Sequence, residues 1–304
     1  PSKTASVAAV AQTSTAPSVI ESSPQCFILR CIFCYLPAIY EPSHDPNDLM
    51  VSASVLSCVR SNAVMCPSFD QHVKHTSQKF EADLEQLHRI FMGMGGMVEQ
   101  QVADAIHSLL DVDAELAIRV QQQDQVVNKF ETDLDSALAL ILVRRQPTAN
   151  DLRTVLAMSK ANTDLERIGD EASKIARIAQ ALATEGESPR GYMETRHIGN
   201  QVRLMIREAL DAFARLDAEQ ALRVMQADAD IDREYQSATR TLMTFMMEDP
   251  RQITRVMNVL WVLRSLERMG DHARNISEQV IYMVKGRDVR HTHIDTIEQQ
   301  LHQD

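Results

Sequence analysis

Two acidic pairs carry the clearest chemical signal in the sequence. Glu166 and Asp170 stand in a Leu-Glu-Arg-Ile-Gly-Asp segment, and Glu267 and Asp271 stand in a later Leu-Glu-Arg-Met-Gly-Asp segment. Because four residues make just over one helical turn, both carboxylates of a pair project from the same face of a helix. Two like charges in that position destabilise a helix by a few tenths of a kcal/mol. Their recurrence suggests that something cationic offsets the repulsion.

Long helices are expected to hold both pairs, because apolar residues recur at alternating spacings of three and four. The expected buried seams are Phe80, Leu84, Leu87, Phe91 and Met94; Leu165, Ile168, Ala172, Ile175, Ala179 and Leu182; and Leu266, Met269, Ala273, Ile276, Val280 and Met283. Helix breaks are expected near Asp111–Asp113, Pro147, Thr184–Arg190, Leu216–Asp217, Pro250 and Gly286. The pattern predicts an all-α fold, a tandem repeat of two three-helix bundles with six long antiparallel helices.

A second duplicated segment supports the repeat. The eight residues that begin at Asp113 reappear in similar form from Asp217, and both copies open the second helix of their unit. We interpret these two aspartates as N-caps rather than ligands. The predicted repeats span residues 73–186 and 187–290, followed by a C-terminal tail at 291–304.

Residues 1–72 differ from the rest of the chain. They are rich in Ser, Ala, Thr and Pro, and they contain all five cysteines, Cys26, Cys31, Cys34, Cys58 and Cys66. The cysteine spacing matches neither a paired Cys-x-x-Cys set nor a zinc finger. We therefore predict a disordered or non-native N-terminal extension and assign it no function.

Hairpin geometry gives each acidic pair a partner, because residues equidistant from the turn of an antiparallel hairpin lie side by side. The two predicted clusters of oxygen-bearing side chains are Asp124, Asn128, Glu166 and Asp170, and Asp228, Asp232, Glu267 and Asp271. Glu131 and Asp135 continue the first cluster. Such ligands suit a divalent or trivalent cation. A helical wheel places the pairs away from the seams, so solvated carboxylates on an outer face are the simpler alternative.

Gly169 and Gly270 precede the two aspartates inside helices, where glycine costs roughly 1 kcal/mol against alanine. Each admits either a close helix contact or a ligand beside the carboxylates. The Met-rich stretches Met92–Met97 and Met243–Met247 are candidate contact surfaces, because methionine adapts to varied partners.

Composition narrows the function classes. The formal net charge of −11 argues against nucleic-acid binding and suits cations or basic partners. The most apolar stretch, from Cys26 to Tyr40, is too short to cross a bilayer and is interrupted by Arg30 and Pro37. We expect no transmembrane segment and a cytoplasmic protein.

Two rival functions stay open. A metal-free adaptor would use the same acidic faces to meet basic partner surfaces. A ferritin-like carboxylate enzyme would need Glu-x-x-His motifs from two helices of one bundle. The sequence has such motifs at Glu85/His88 and Glu194/His197, but they fall in different repeats. No nucleophile is paired with a base, and no Gly-rich phosphate loop follows a strand. We therefore expect no enzymatic activity.

Several segments together resemble the PhoU family of phosphate-specific transport system accessory proteins. The Leu-Glu-Arg-Ile-Gly-Asp signature occurs once per repeat in that family. The other similar segments are Met94–Gln101, Arg145–Thr148, Asp211–Arg215, Met246–Asp249 and Val284–Gly286. The resemblance covers about residues 74–290.

The resemblance implies two three-helix bundles with metals bound by surface carboxylates. It further implies a cytosolic negative regulator of phosphate uptake and of the phosphate-starvation response, which connects the phosphate ABC transporter to its sensor histidine kinase. We also expect a homodimer, placed in the cytoplasm and peripherally at the inner face of the membrane.

The family's metal motifs, carried over by residue, fall on Glu166/Asp170, Asp228/Asp232 and Glu267/Asp271. Asp124 departs from the pattern because Asn128 follows it, and an amide ligates without charge. Carboxylates alone do not select among Fe, Zn, Mn and Mg.

Overall fold

The computed structural model describes residues 78–185 and 192–303, and over these ranges the chain forms helices and no strand. In chain order the α-helices are α1 Gln78–Leu110, α2 Ala114–Arg145, α3 Ala149–Glu185, α4 Tyr192–Arg215, α5 Ala218–Glu248, α6 Ile253–Lys285 and α7 Ile294–Gln303. A 3-10 turn, Pro250–Gln252, joins α5 to α6. Helices α1–α3 form the first repeat and α4–α6 the second, which confirms the predicted all-α fold of two three-helix bundles.

Local sequence signals set the helix ends. The carboxylates of Asp113 and Asp217 each accept a 2.9 Å hydrogen bond from the backbone N–H three residues later, so both N-cap predictions are confirmed. Asp249 caps the 3-10 turn, whose first residue is proline. Gly286 ends α6 in the left-handed conformation, with φ 72°, which a residue without Cβ adopts readily.

The predicted seams form the core. Every seam residue is buried except Met283, which is partly buried and packs against the others. Aromatic rings join the two repeats in this core, since Phe91 of α1 lies 4.3 Å from Phe213 of α4 between ring centroids. Both bundles therefore share one apolar interior rather than two separate ones.

Helices α1 and α4 pack antiparallel across the repeats. Arg207 Nε donates a 2.8 Å hydrogen bond to Glu99 Oε1. Glu99 follows Phe91 in α1, whereas Arg207 precedes Phe213 in α4, so the two helices run in opposite directions. The Glu99 side chain is almost fully buried at this contact. A buried carboxylate requires such a partner, so the ion pair helps to fix the register of the two helices.

Helices α3 and α6 also pack antiparallel, and polar groups mark their contact. His272 Nδ1 lies 2.8 Å from Asp164 Oδ1, and Asn275 Nδ2 donates a 3.0 Å hydrogen bond to the same oxygen. Arg268 Nη1 lies 2.9 Å from Glu171 Oε1. The two Leu-Glu-Arg-Xaa-Gly-Asp segments therefore run past each other along one stretch of the interface between the repeats.

The predicted tail contains a helix that sequence analysis did not assign. Ile294, Ile297 and Leu301 lie at spacings of three and four, and their apolar face packs against the core. The predicted extension at 1–72, with its five cysteines, and the predicted repeat boundary near 186 lie outside the described residues.

Candidate metal centres

A glycine in each third helix brings an aspartate of the second helix close. A Cβ added to Gly169 would lie 3.3 Å from Val127 Cγ1 and 3.8 Å from Asp124 Oδ1. A Cβ added to Gly270 would lie 3.4 Å from Asp228 Oδ1. Each glycine therefore permits close packing of the second and third helices and at the same time keeps space beside an aspartate carboxylate.

The first cluster gathers Asp124 of α2 with Glu166 and Asp170 of α3. Burial raises the pKa of Asp124, and the negative charge of Asp170 raises it further, while a 3.2 Å hydrogen bond from Gln101 Nε2 opposes the shift. Burial also raises the pKa of Glu166, followed by repulsion from Asp170. The pKa of Glu131 is raised too, by burial first, with Asp170 among the charges that repel it. The carboxylates of the first cluster therefore repel one another.

Asn128, the fourth predicted member of the first cluster, is more exposed than Asp124, Glu166 and Asp170. The residue is exposed, and its backbone carbonyl accepts a 2.9 Å hydrogen bond from Thr132 Oγ1. Glu131, the next acidic residue along α2, is one of the charges that raise the pKa of Glu166. Glu131 therefore acts electrostatically on the first cluster.

The second cluster gathers Asp228 and Asp232 of α5 with Glu267 and Asp271 of α6. Asp228 is only 3% exposed, and burial raises its pKa to about 6, with repulsion from Asp271 and Asp232 acting in the same direction. Burial, followed by repulsion from Asp271, raises the pKa of Glu267. Asp271 keeps much of its surface open to water, yet partial burial and then repulsion from Asp232 raise its pKa. All four predicted members act on one another electrostatically.

Arginines beside both clusters balance part of this charge. In the first cluster Arg167 Nη1 lies 3.3 Å from Asp170 Oδ2. In the second cluster Arg274 Nη1 lies 3.3 Å from Asp228 Oδ2, and Arg264 pairs with the glutamate of the same cluster. These arginines stay partly exposed, which lets them move away into solvent. A metal ion would therefore compete with arginine side chains that can move away from the carboxylates.

The donor atoms suit a hard or borderline cation. Glu267 Oε2 is a buried acceptor without a hydrogen-bond partner among the described residues. Such an orphan carboxylate oxygen is costly unless a cation or a donor satisfies it. Over residues 78–185 and 192–303, however, no three Asp, Glu, His or Cys side chains converge closely enough to form a ready ligand set. The carboxylates would have to draw together around a cation, which would also relieve their mutual repulsion.

Sequence reasoning missed the polar groups that support the clusters. Gln101 reaches Asp124 from α1, and Arg274 reaches Asp228 from one turn beyond the second acidic pair. The place of Arg274 beside the second cluster could have been predicted from the sequence, because a residue three positions after Asp271 lies on the same helix face. The contact of Gln101 with Asp124 could not, because it depends on the register of α1 against α2.

The two Glu-x-x-His motifs do not meet. His88 lies near Phe213 on α4, and its ring stacks on that phenylalanine with centroids 6.0 Å apart. Burial lowers the pKa of His88 to about 4, so the ring is a neutral packing group at neutral pH. His197 lies at the opposite end of α4 and contacts Glu234 of α5. The motifs are therefore about 24 Å apart at 1.5 Å per helical residue, too far to share a di-metal centre.

The PhoU domain model matches residues 91–179 and 195–280, which together make up more than half of the chain. The chain belongs to the PhoU family. The two matched stretches fall in α1–α3 and in α4–α6, so the family signal covers both repeats and both acidic clusters.

Relatives in the PhoU family align over nearly their whole length. A phosphate-specific transport system accessory protein PhoU homolog from Pseudomonas aeruginosa is 55% identical over 232 residues, covering 76% of this chain and 96% of the relative. The phosphate-specific transport system accessory protein PhoU of Escherichia coli strain K12 is 43% identical over 228 residues, covering 75% of this chain and 94% of the relative.

Two solved PhoU structures share the fold. The crystal structure of PhoU from Pseudomonas aeruginosa matches with a TM-score of 0.67 and 57% identity, covering 68% of this chain and all of that one. The phosphate transport system regulatory protein PhoU from Streptococcus pneumoniae matches with a TM-score of 0.64 and 27% identity, covering 69% of this chain and 99% of that one.

The PhoU relatives are named as accessory and regulatory proteins of phosphate transport, and none of these names describes an enzyme. The family resemblance inferred from the sequence is therefore confirmed. Within the described parts of the chain, no helix combines the length and the apolar character that crossing a bilayer requires.

Proposed function

We propose that this PhoU-family chain is a negative regulator of phosphate uptake and of the phosphate-starvation response. It would couple the phosphate ABC transporter to the phosphate-sensing histidine kinase and favour the kinase's phosphatase activity when phosphate is plentiful. The observation that carries this proposal is the 55% identity to a phosphate transport accessory protein, 96% of whose length aligns.

Exposed apolar side chains near the α5–α6 turn offer surface for such partners. Met243, Met247 and Trp261 are 54%, 79% and 58% exposed. Tryptophan and methionine are enriched in protein interfaces, and single large side chains of this kind often dominate binding. The other Met-rich stretch, Met92–Met97, packs on the core instead.

We further propose that both carboxylate clusters bind metal. Asp124, Asn128, Glu166 and Asp170 would hold one ion, and Asp228, Asp232, Glu267 and Asp271 another. A bound Fe, Zn, Mn or Mg ion would supply positive charge that joins the second helix of each repeat to the third. Support comes from the mutual repulsion of the carboxylates and from the orphan oxygen of Glu267.

The regulatory role is tested by gene replacement. Deleting the PhoU homolog of Pseudomonas aeruginosa should raise phosphate-starvation reporter expression in high phosphate, and this chain should restore repression. Repression should be lost again when Trp261 and Met247 are changed to Ser, whereas Val143→Ser, at an exposed apolar residue elsewhere, serves as the control. A folded, wild-type chain that leaves the reporter high would count against the proposed regulation.

Metal binding is tested by elemental analysis of protein purified without a His tag. Changing Glu166, Asp170, Glu267 and Asp271 to Ala should remove the bound metal. Asp133→Ala with Asp230→Ala provides the control, because these aspartates are exposed on α2 and α5. Equal trace metal in wild type and the quadruple variant would favour the metal-free adaptor.

We also propose a cytoplasmic homodimer that associates peripherally with the inner face of the membrane. The peripheral location is supported by the names of the relatives, which are accessory proteins of a phosphate-specific transport system. Light scattering of the purified chain measures the assembly directly. A mass equal to one chain across the micromolar range would remove the dimer from the proposal.

A further inference from the structure

A basic groove lies beside the second cluster, on the side where the repeats meet. Its volume is about 470 Å³. The side chains with hydrogen-bond donors around it are Arg268, His272, Arg274, Asn275, Arg290 and His291. Apart from the histidines, this set provides three permanent positive charges and one amide in one open concavity.

Two parts of the chain build this basic groove. Arg268, His272 and Asn275 repeat at spacings of four and three, so they form one stripe along α6. The segment after α6 then folds back, because Val289 is buried at 3% exposure. That anchor places Arg290 and the neighbouring histidine against the stripe.

The arginines keep donors to spare. Each guanidinium carries five N–H donors. Arg268 uses Nη1 on Glu171, and Arg274 uses Nη1 and Nε on carboxylates at 3.3 and 3.4 Å, which are long for charged pairs. Arg290 remains half exposed although it pairs with Asp288. Donors of all three guanidinium groups are therefore available to a further acceptor.

Two carboxylates also line the basic groove. Asp271 belongs to the second cluster, and Glu278 is 5% exposed and lies 3.4 Å from Arg274 Nε. Each guanidinium group also contacts a carboxylate outside the lining: Arg268 contacts Glu171, Arg274 contacts Asp228, and Arg290 contacts Asp288. These carboxylates balance the charge of the arginines and hold them in place. An anion would therefore bind through the remaining guanidinium N–H donors rather than through a net positive charge.

The first repeat carries only part of this helical stripe. When the two acidic segments are aligned, Arg167 matches Arg268 and Lys174 matches Asn275, but Glu171 stands where the second repeat has His272, and Ser173 stands where it has Arg274. The combination of Arg268, His272 and Arg274 along one helix therefore belongs to the second repeat.

We propose that the basic groove binds a small tetrahedral oxyanion, either free phosphate or the phosphoryl group of a small metabolite. Guanidinium groups pair with such oxygens through two parallel hydrogen bonds, and the amide and imidazoles add single donors. The volume accepts the oxyanion with room for a substituent. Binding is a property of the purified chain and does not depend on the regulatory role proposed above.

Titration calorimetry of the EDTA-treated full chain tests this inference with inorganic phosphate, sulfate and a nucleoside monophosphate. Arg268→Gln with Arg290→Gln should weaken binding at least about tenfold, because each removes a charge-assisted hydrogen bond. Arg233→Gln, on an exposed arginine that pairs with Asp230 outside the groove, should leave affinity within about twofold.

The single variant Arg290→Gln guards against misfolding, because Arg290 is half exposed and its partner Asp288 lies in the same turn. It should keep the wild-type circular dichroism spectrum and still weaken binding. Tighter binding of the nucleotide than of phosphate would identify a phosphorylated metabolite, and the reverse would identify free phosphate. Absence of binding by the wild type up to millimolar concentrations, or equal affinity in the double variant and the Arg233 control, would overturn the inference.

Discussion

Asp228 shows the conflict between stability and ligand binding at the level of one residue. The side chain is nearly inaccessible to water, and burial raises its pKa to about 6 although Arg274 lies 3.3 Å away. The fold therefore holds the ionised group at neutral pH in surroundings that oppose its charge. A bound cation would return the stability that this charge takes away, because a ligand that binds only the folded state stabilises it.

The variant Asp228→Asn should therefore stabilise the metal-free protein. Removing an opposed, buried charge while keeping the shape should raise the free energy of unfolding by about 1–2 kcal/mol at pH 7.5. Urea unfolding in EDTA measures the change. Asp230→Asn, two residues away but exposed, should change stability by less than about 0.5 kcal/mol. A destabilised Asp228→Asn protein would show that the pair with Arg274 outweighs burial.

The sequence could supply the cluster members because their spacing is local. One helical turn joins Glu267 to Asp271, and one hairpin turn relates this pair to Asp228 and Asp232. Their degree of burial could not be read in the same way. The helical wheel describes one helix against its own bundle, whereas the exposure of Asp228 depends on how α5 and α6 close over it.

Helix α1 packs against helices of both repeats. Its seam packs inside the first repeat, while its other face receives α4. Two glycines within a single turn sit differently in this arrangement. A Cβ on Gly95 would lie 2.8 Å from Leu210 Cδ2 of α4, whereas a Cβ on Gly93 would meet nothing within 4 Å. Of these two glycines, Gly95 is the one that the contact between the repeats requires.

Alanine at these two positions should act in opposite directions. Gly93→Ala should raise the free energy of unfolding by about 0.5–1 kcal/mol through helix propensity. Gly95→Ala should lower stability below wild type, because Leu210 is buried and overpacking typically costs about 1–3 kcal/mol. Thermal and urea unfolding of both variants provide the comparison. Equal stabilisation of the two would mean that α1 and α4 are not held closely.

Helix boundaries could be predicted where the residue that begins or ends a helix interacts only with nearby backbone groups. Asp113, Asp217 and Gly286 cap their helices through backbone groups a few residues away, so sequence alone locates them. Helix α7 was not predicted because it is short and because its apolar face, which includes Ile297, packs on core residues that are distant in the sequence. The pairing of α3 with α6 escaped prediction for the same physical reason.

The two repeats supply each other with polar partners and with apolar contacts. Asp164 of the first repeat satisfies His272 and Asn275 of the second, and Glu171 satisfies Arg268. The apolar core is also continuous across the boundary, through Phe91 and Phe213 among others. Each repeat alone would expose a large apolar face and several polar groups without partners.

Two separately expressed fragments, residues 73–186 and 187–304, should therefore fold together when mixed. Each alone should aggregate or show broad, non-cooperative unfolding. The mixture should recover the helical circular dichroism spectrum and elute as a one-to-one complex. Arg268→Glu in the second fragment should prevent assembly by facing Glu171, whereas Arg233→Glu should not. Cooperative unfolding of an isolated fragment would show that a single repeat is self-sufficient.

The antiparallel contact of α3 with α6 also gives the two repeats the geometry of an isologous dimer, in which the same patch is used twice. A second repeat paired with a copy of itself would present Ser265 in place of Asp164 and His272 in place of Glu171. Arg268 and His272 would then lose both carboxylate partners. The duplicated halves have become complementary rather than interchangeable, so the chain specifies an internal heterodimer and disfavours self-pairing of its second half.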